Sequence, residues 1–196
     1  MNTYLNQEER EKLERARIGI AGAGGLGSNC AMHLVRAGVK KLVFADFDVV
    51  SESNLNRQFF FRDQLGMKKV DALRVNLLRI NPELEIVAED TRLDPESSRR
   101  LFADCDVIVE AFDAVAAKTM LLKTFIPGGK PIVTASGLAG WGRSNAIKAR
   151  RLGNVIAIGD GESEVGADLS PHSPRVGIAA AMEANAVVAI LLGKEI

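Results

Sequence analysis

The sequence predicts an α/β fold: a mainly parallel sheet with helices on both faces, an antiparallel extension toward the C-terminus and a long final helix. Three observations carry this expectation. Short apolar runs alternate with segments of helical spacing, the pattern of strands joined by crossover helices. The first apolar run meets the helix after it through Gly22-Ala23-Gly24-Gly25-Leu26-Gly27. Hydrophobic residues make up 47% of the chain but aromatics only 5%, so Ala, Val, Ile and Leu must build the core, as in buried parallel sheets.

Taken in order, residues 8–16 read as a charged helix and 17–21 (RIGIA) as the first strand. Residues 28–37 carry helical spacing that Gly38 ends, and 41–45 (KLVFA) form the second strand. In 68–80, Val70, Leu73, Leu77 and Ile80 share one helix face, and Asn81-Pro82 stops it. A strand at 84–88, a helix at 95–102, a strand at 106–110 (DVIVE), a helix at 114–125 and a strand at 132–135 continue the alternation. Beyond Ala135 the texture changes. Residues 146–150 and 155–158 read as a hairpin turning at Gly153-Asn154, 159–174 show no periodicity, and 175–192 form a long Ala-rich helix. An unstructured stretch of that length inside a compact domain usually has a function.

A chain of 196 residues suits one domain, 1–196. Lys plus Arg equals Asp plus Glu at 25 each, which argues against nucleic acid or membrane as the partner. No apolar run approaches the ~18 residues of a membrane span, and residues 1–17 lack a secretory hydrophobic segment. The expectation is a cytoplasmic protein. Cys30 and Cys105 are far apart and no C-x-x-C occurs, so both read as packed small side chains rather than a disulfide or zinc ligands.

The glycine motif gives the sheet a Rossmann-like reading. Gly22 permits the tight turn, Gly24 lets backbone approach a phosphate, and Gly27 lets helix pack on strand. The following helix N-terminus offers N–H groups to an anion. Asp46 closes the second strand where an acid meets ribose hydroxyls in this fold. These features specify a nucleotide without saying which. Downstream, Ser53-Asn54-Leu55-Asn56-Arg57-Gln58 and Gly66-Met67-Lys68-Lys69 separate ATP from NAD. Cleavage at an α-phosphate needs cations for the phosphoryl and the departing pyrophosphate. Arg57 and Lys69 suit that work, and Asn54 suits either a phosphate or the Arg57 loop. Asp113, just past the fourth strand, suits Mg²⁺, which takes one or two carboxylates plus phosphate oxygens. It also stands where an N-cap for the 114–125 helix would lie. Trp141 reads either as a partner contact or as core, and His172 as a solvent-facing loop residue.

In this order, G-x-G-G-x-G, D-F-D, S-N-L-N-R-Q, G-x-x-K and an Asp after the fourth strand resemble the ThiF/MoeB family, bacterial relatives of ubiquitin-activating enzymes. The likeness runs from Arg17 to the C-terminal helix and is strongest to short ThiF proteins of thiamin biosynthesis. The resemblance implies an enzyme, a sulfur-carrier protein adenylyltransferase. The C-terminal carboxylate of a small β-grasp partner ending in Gly-Gly would attack the α-phosphorus of ATP, leaving an acyl-adenylate and releasing pyrophosphate. It implies that Gly22, Gly24, Gly25 and Gly27 meet phosphates and adenosine, Asp46 the ribose, and Asn54, Arg57 and Lys69 the phosphates. Asp113 would hold Mg²⁺. Arg57, Lys69 and Asp113 form the implied catalytic set, and a homodimer is implied as well. Other acceptors (a molybdopterin-synthase small subunit, a peptide or a tRNA) share the chemistry, and an NAD-dependent oxidoreductase shares only the glycine motif.

The chain departs from the family pattern in four places. It lacks the C-x-x-C pairs of a structural zinc, so none is expected. The crossover segment 159–174 has no cysteine for a covalent bond to the partner. The family's Asp-Asn is Asp113-Ala114 here, and its following arginine position holds Lys118. No residue matches the arginine that relatives supply across a dimer.

Overall fold

The structure is a computed structural model that describes residues 4–163 and 169–196. Among these residues seven strands, β1 (Arg17–Ala21), β2 (Lys41–Asp46), β3 (Glu85–Asp90), β4 (Val107–Glu110), β5 (Ile132–Ala135), β6 (Lys148–Leu152) and β7 (Val155–Gly159), form one sheet ordered β3-β2-β1-β4-β5-β7-β6. Every neighbouring pair is parallel except β6 with β7. The order reverses between β1 and β4, which opens a crevice at their carboxyl ends, where α/β sheets bind ligands.

Among the described residues six α-helices cover the sheet: α1 (Gln7–Arg15), α2 (Gly25–Ala37), α3 (Lys69–Ile80), α4 (Pro95–Leu101), α5 (Val115–Phe125) and α6 (Ser173–Leu192). Alternation along β1 shows how two cores arise. Ile18 and Ile20 face Leu34, Leu73 and Val187 of α2, α3 and α6. Gly19 faces the other way, where a Cβ would come within 2.7 Å of the Phe102 ring. That second core joins Phe102, Cys105 and Ile108 to Leu121 and Phe125 of α5. Helices therefore lie on both faces, as expected.

Most boundaries shift by one or two residues from the sequence reading, and three of the shifts have a clear local cause. Helix α2 begins at Gly25, three residues before the expected start, so Gly25 and Gly27 lie in its first turn. Glycine is a poor helix former, and packing against β1 and the Arg57 loop overrides that preference. Strand β6 begins at Lys148 rather than 146, because Arg143 takes a left-handed φ of 47° and a short 3-10 turn follows over Ser144–Ala146. Helix α6 begins at Ser173, with Pro174 in its first turn, where a missing N–H costs nothing. Of the expected irregular stretch 159–174, residues 164–168 lie outside the described residues.

By length and composition α6 qualifies as a membrane span, although no such run was expected. In this fold it is a core helix. Ala179, Ala180, Ala184 and Val187 are buried in the core that α2 also lines, and Arg175 and Glu183 are buried with them.

Candidate functional site

The glycine turn is shaped by what surrounds it. Gly22 has a φ of 102° and donates its N–H to Ala45 O at 2.9 Å. A Cβ there would meet Ala111 O at 2.9 Å, so the turn lies directly against the end of β4. A Cβ on Gly27 would lie 1.9 Å from Gly22 O. The roles expected of both glycines in turn and packing hold. Gly24 faces open space, with only Gln58 Nε2 near, at 3.9 Å from a Cβ position. Among the described residues no side chain caps α2, and its first turn holds no acid, so its N–H groups and dipole are available to an anion.

Asp46 is already engaged. One carboxylate oxygen accepts from Ala23 N at 2.7 Å, and the other from Asp48 N at 2.8 Å. It thereby ties the glycine turn to the Asp46-Phe47-Asp48 corner, with lone pairs remaining for a hydroxyl. Phe47 is half exposed beside it, with the Arg92 guanidinium 4.5 Å from its ring centroid.

The Arg57 loop is clasped onto α2. Ser28 Oγ donates to Gly24 O at 2.6 Å and accepts from Phe59 N at 3.0 Å. Asn29 Nδ2 donates to Gly25 O and Arg57 O, at 2.7 and 2.9 Å. The aliphatic stem of Arg57 rests 3.6 Å from where a Gly25 Cβ would be. Its guanidinium donates to Ser53 O at 3.1 Å and Asn56 Oδ1 at 2.8 Å. Of the two roles open to Asn54, the structure displays the loop-holding one. Its Oδ1 accepts from Ser51 N at 3.0 Å, and its carbonyl from Arg57 N and Gln58 N.

Lys69 opens α3, as expected of a residue at a helix start, and is 6% exposed. Its ammonium donates to Asp48 Oδ2 at 2.7 Å, so engaging a phosphate means sharing or leaving that carboxylate. Asp113 is exposed one residue beyond Phe112, whose ring lies 3.5 Å from a Gly22 Cβ position. The N-cap of α5 is Ala114, without a side-chain bond, so Asp113 does not cap the helix. Among the described residues nothing pairs with its carboxylate. A hard, unpaired carboxylate at a strand end fits Mg²⁺. No group of three His, Cys, Asp or Glu side chains is arranged for a metal among the described residues.

Sequence reasoning gave no role of their own to Gln58, Glu110 or Glu183. Gln58 is 8% exposed beside the glycine turn, and its Oε1 has no partner. Glu110 and Glu183 are fully buried, a rarity for Glu that only packing reveals. Among the described residues Glu183 has no partner on either oxygen. Burial pushes its carboxyl well above the ordinary range, nearby Glu110 adds to this, and Lys118 opposes it. Burial likewise raises the Cys30 thiol, with Glu183 contributing, so α2 does not create a reactive thiolate there. Cys105 is pushed up to about 11 by burial.

The Glu183 shift has a definite sign. A raised folded-state value means the group's contribution is fully present below the ordinary carboxylate range and is lost as pH rises through the folded value. Glu183→Gln removes that proton dependence. The variant's stability relative to wild type is expected to rise from about pH 5 to about pH 8. Scanning calorimetry at both pH values checks this, and a difference constant with pH would contradict it.

The crossover is anchored from beneath. Arg175, 2% exposed, donates to Asp160 Oδ2 at 2.6 Å and to Gly142 O at 2.8 Å. Backbone and side-chain donors of Glu162, Ser163 and Arg175 outweigh the effect of burial and hold the Asp160 carboxyl well below the usual range. Trp141 is exposed rather than core and stacks on His172 at 3.7 Å between ring centroids, so His172 is not a bare loop residue.

Comparison with known proteins adds four findings. The ThiF family model matches residues 2–196. The chain is 38% identical over 128 residues to the adenylyltransferase and sulfurtransferase uba4 of Aspergillus niger, covering 65% of this chain and 27% of that protein. It is 34% identical over 133 residues to the probable adenylyltransferase/sulfurtransferase MoeZ of Mycobacterium tuberculosis, covering 67% of this chain and 34% of that one. The matches thus span only about a quarter to a third of these relatives. Among solved structures, the E. coli tRNA N6-threonylcarbamoyladenosine dehydratase TcdA, in complex with ATP, superposes with a TM-score of 0.88 at 19% identity, covering 95% of this chain and 90% of that one. At that identity the likeness is one of fold.

Proposed function

The chain belongs to the ThiF family, and from that premise we propose that it is an ATP-dependent adenylyltransferase for the C-terminal carboxylate of a small ThiS-like sulfur carrier, serving thiamin or related sulfur-cofactor synthesis. One observation carries the reading. The uncapped α2 N-terminus, the Arg57 loop clasped to α2 and the unpaired Asp113 meet around one glycine turn at the reversal of strand order.

In this reading the triphosphate lies over the α2 N-terminus, whose N–H groups receive it. Asp46 takes the ribose. Arg57 and Lys69 exchange their present acceptors, Ser53 O, Asn56 Oδ1 and Asp48, for phosphate oxygens. Asp113 would hold Mg²⁺, which when bound would supply neutralising charge to the phosphates. The carrier's carboxylate is already a nucleophile, so no general base is required, and positioning supplies the rate. Trp141 and His172 lie on the loops expected to meet the carrier's tail. The proposal includes a homodimer in the cytoplasm and no structural zinc.

The test mixes the purified chain, ATP and Mg²⁺ with a Gly-Gly-tailed carrier, a peptide or tRNA, and sizes the same sample by light scattering. The expected result is an adenylyl mass gain on the carrier alone, with pyrophosphate release by a dimer. Tight NAD binding without ATP binding in calorimetry would overturn the reading.

A further inference from the structure

The turn carrying Asp113 has a support that the proposed chemistry does not yet use. The Lys118 ammonium, on α5, donates to Glu110 Oε2 at 2.8 Å and to Ala135 O at 3.0 Å. Glu110 is fully buried at the end of β4, and Ala135 ends β5. Glu110 Oε1 accepts from Phe112 N at 2.8 Å, and Thr134 Oγ1 donates to Oε2. One ammonium and one carboxylate thus join β4, β5, α5 and the residue immediately before Asp113.

This arrangement matters because Asp113 has no anchor of its own among the described residues: its side chain pairs with nothing and α5 lacks a side-chain cap. The direction of its carboxylate is therefore set by the backbone of the β4–α5 turn. That backbone is held by the Glu110 bond to Phe112 N on one side and by Phe112 against Gly22 on the other. A buried carboxylate keeps its charge only when paired and fully hydrogen-bonded. The Lys118 ammonium is the cation paired with Oε2 of Glu110, whose Oε1 receives Phe112 N.

We propose that Lys118 is a positioning residue, acting through Glu110 to aim the Asp113 carboxylate at the divalent cation of the bound nucleotide. The inference rests on the proposed nucleotide site. Groups that orient a metal ligand without touching the metal affect metal affinity by about 10–100-fold, whereas a purely structural salt bridge affects unfolding and leaves metal affinity in the folded protein alone.

The experiment uses Mn²⁺ as a spin probe for the cation site, with α,β-methylene-ATP as the nucleotide. Free Mn²⁺ is measured by electron paramagnetic resonance, and nucleotide affinity in EDTA by calorimetry. In Lys118→Met, Mn²⁺ affinity in the nucleotide complex is expected to fall about tenfold or more, with nucleotide affinity in EDTA within about twofold of wild type. Lys118→Arg, which can donate to both acceptors, is expected to recover most of the loss. In an Asp113→Ala background, Lys118→Met is expected to add no further loss, since the two changes remove one function. Should Lys118→Met not fold, Lys118→Gln keeps a neutral donor one atom shorter and is held to the same comparison, with an intermediate loss expected. Folded Met or Gln variants with wild-type Mn²⁺ affinity, an equal loss in EDTA, or failure of Lys118→Arg to recover would each overturn the inference alone. Wild-type protein that binds neither the nucleotide nor Mn²⁺ with it would instead remove the nucleotide-site reading, and this inference with it.

Discussion

Replacing Asp113 by Ala is expected to lower carrier-dependent pyrophosphate exchange by at least about a hundredfold, the scale for removing one preorganised electrostatic contact, while leaving the fold intact. The two halves of this expectation come from the same geometry. Asp113 is exposed, has no partner among the described residues and does not cap α5. Removing it breaks no bond within the protein, and surface changes of that kind stay within about ±0.5 kcal/mol. It stands one residue beyond Phe112, whose ring lies against Gly22, and at the phosphate site proposed there a carboxylate and a phosphate repel unless a cation joins them. Exchange assays, with circular dichroism and a thermal midpoint on the same preparation, check both halves. Near-normal exchange would remove Asp113 from the mechanism. Lost exchange with a collapsed midpoint would make it structural.

The largest stability effect is expected at Gly27. Alanine favours a helix over glycine by about 1 kcal/mol, so propensity alone predicts that Gly27→Ala stabilises α2. Packing predicts the reverse. The new Cβ would lie 1.9 Å from Gly22 O, which is backbone, and 3.2 Å from Ile20 Cγ2. Gly22 cannot retreat, since its N–H is bonded to Ala45 O and Ala111 O stands on its other side. Separating α2 from β1 opens the core that Ile18, Ile20 and Leu34 share. The expected loss exceeds about 4 kcal/mol, a large part of the roughly 5–15 kcal/mol of a typical domain. Gly177→Ala is the control. It is also helical, and its Cβ would meet nothing within 4 Å, so a gain of up to about 1 kcal/mol is expected there. Urea unfolding of the two variants beside wild type decides the matter. A Gly27→Ala protein with an unchanged midpoint would mean the turn can move.

Much of this molecule is written in short-range pattern. Strands 17–21 and 132–135 coincide with the observed β1 and β5, because each is an apolar run bounded by breakers and charges. The glycine turn, the acid at the end of β2 and the order of strands and helices follow from local chemistry as well, and so did the α/β sheet with its antiparallel end. Tertiary structure decided the partners. Asp46 grips Ala23 across 23 residues, Lys69 rests on Asp48 across 21, and Lys118 reaches Glu110 across 8. The start of α2 at Gly25 and the burial of Glu110 and Glu183 belong to the same class. A residue's own neighbours set its backbone preference. Whether a charge is buried, paired or left open to a ligand depends on what other elements bring against it, and that is a property of the packed sheet.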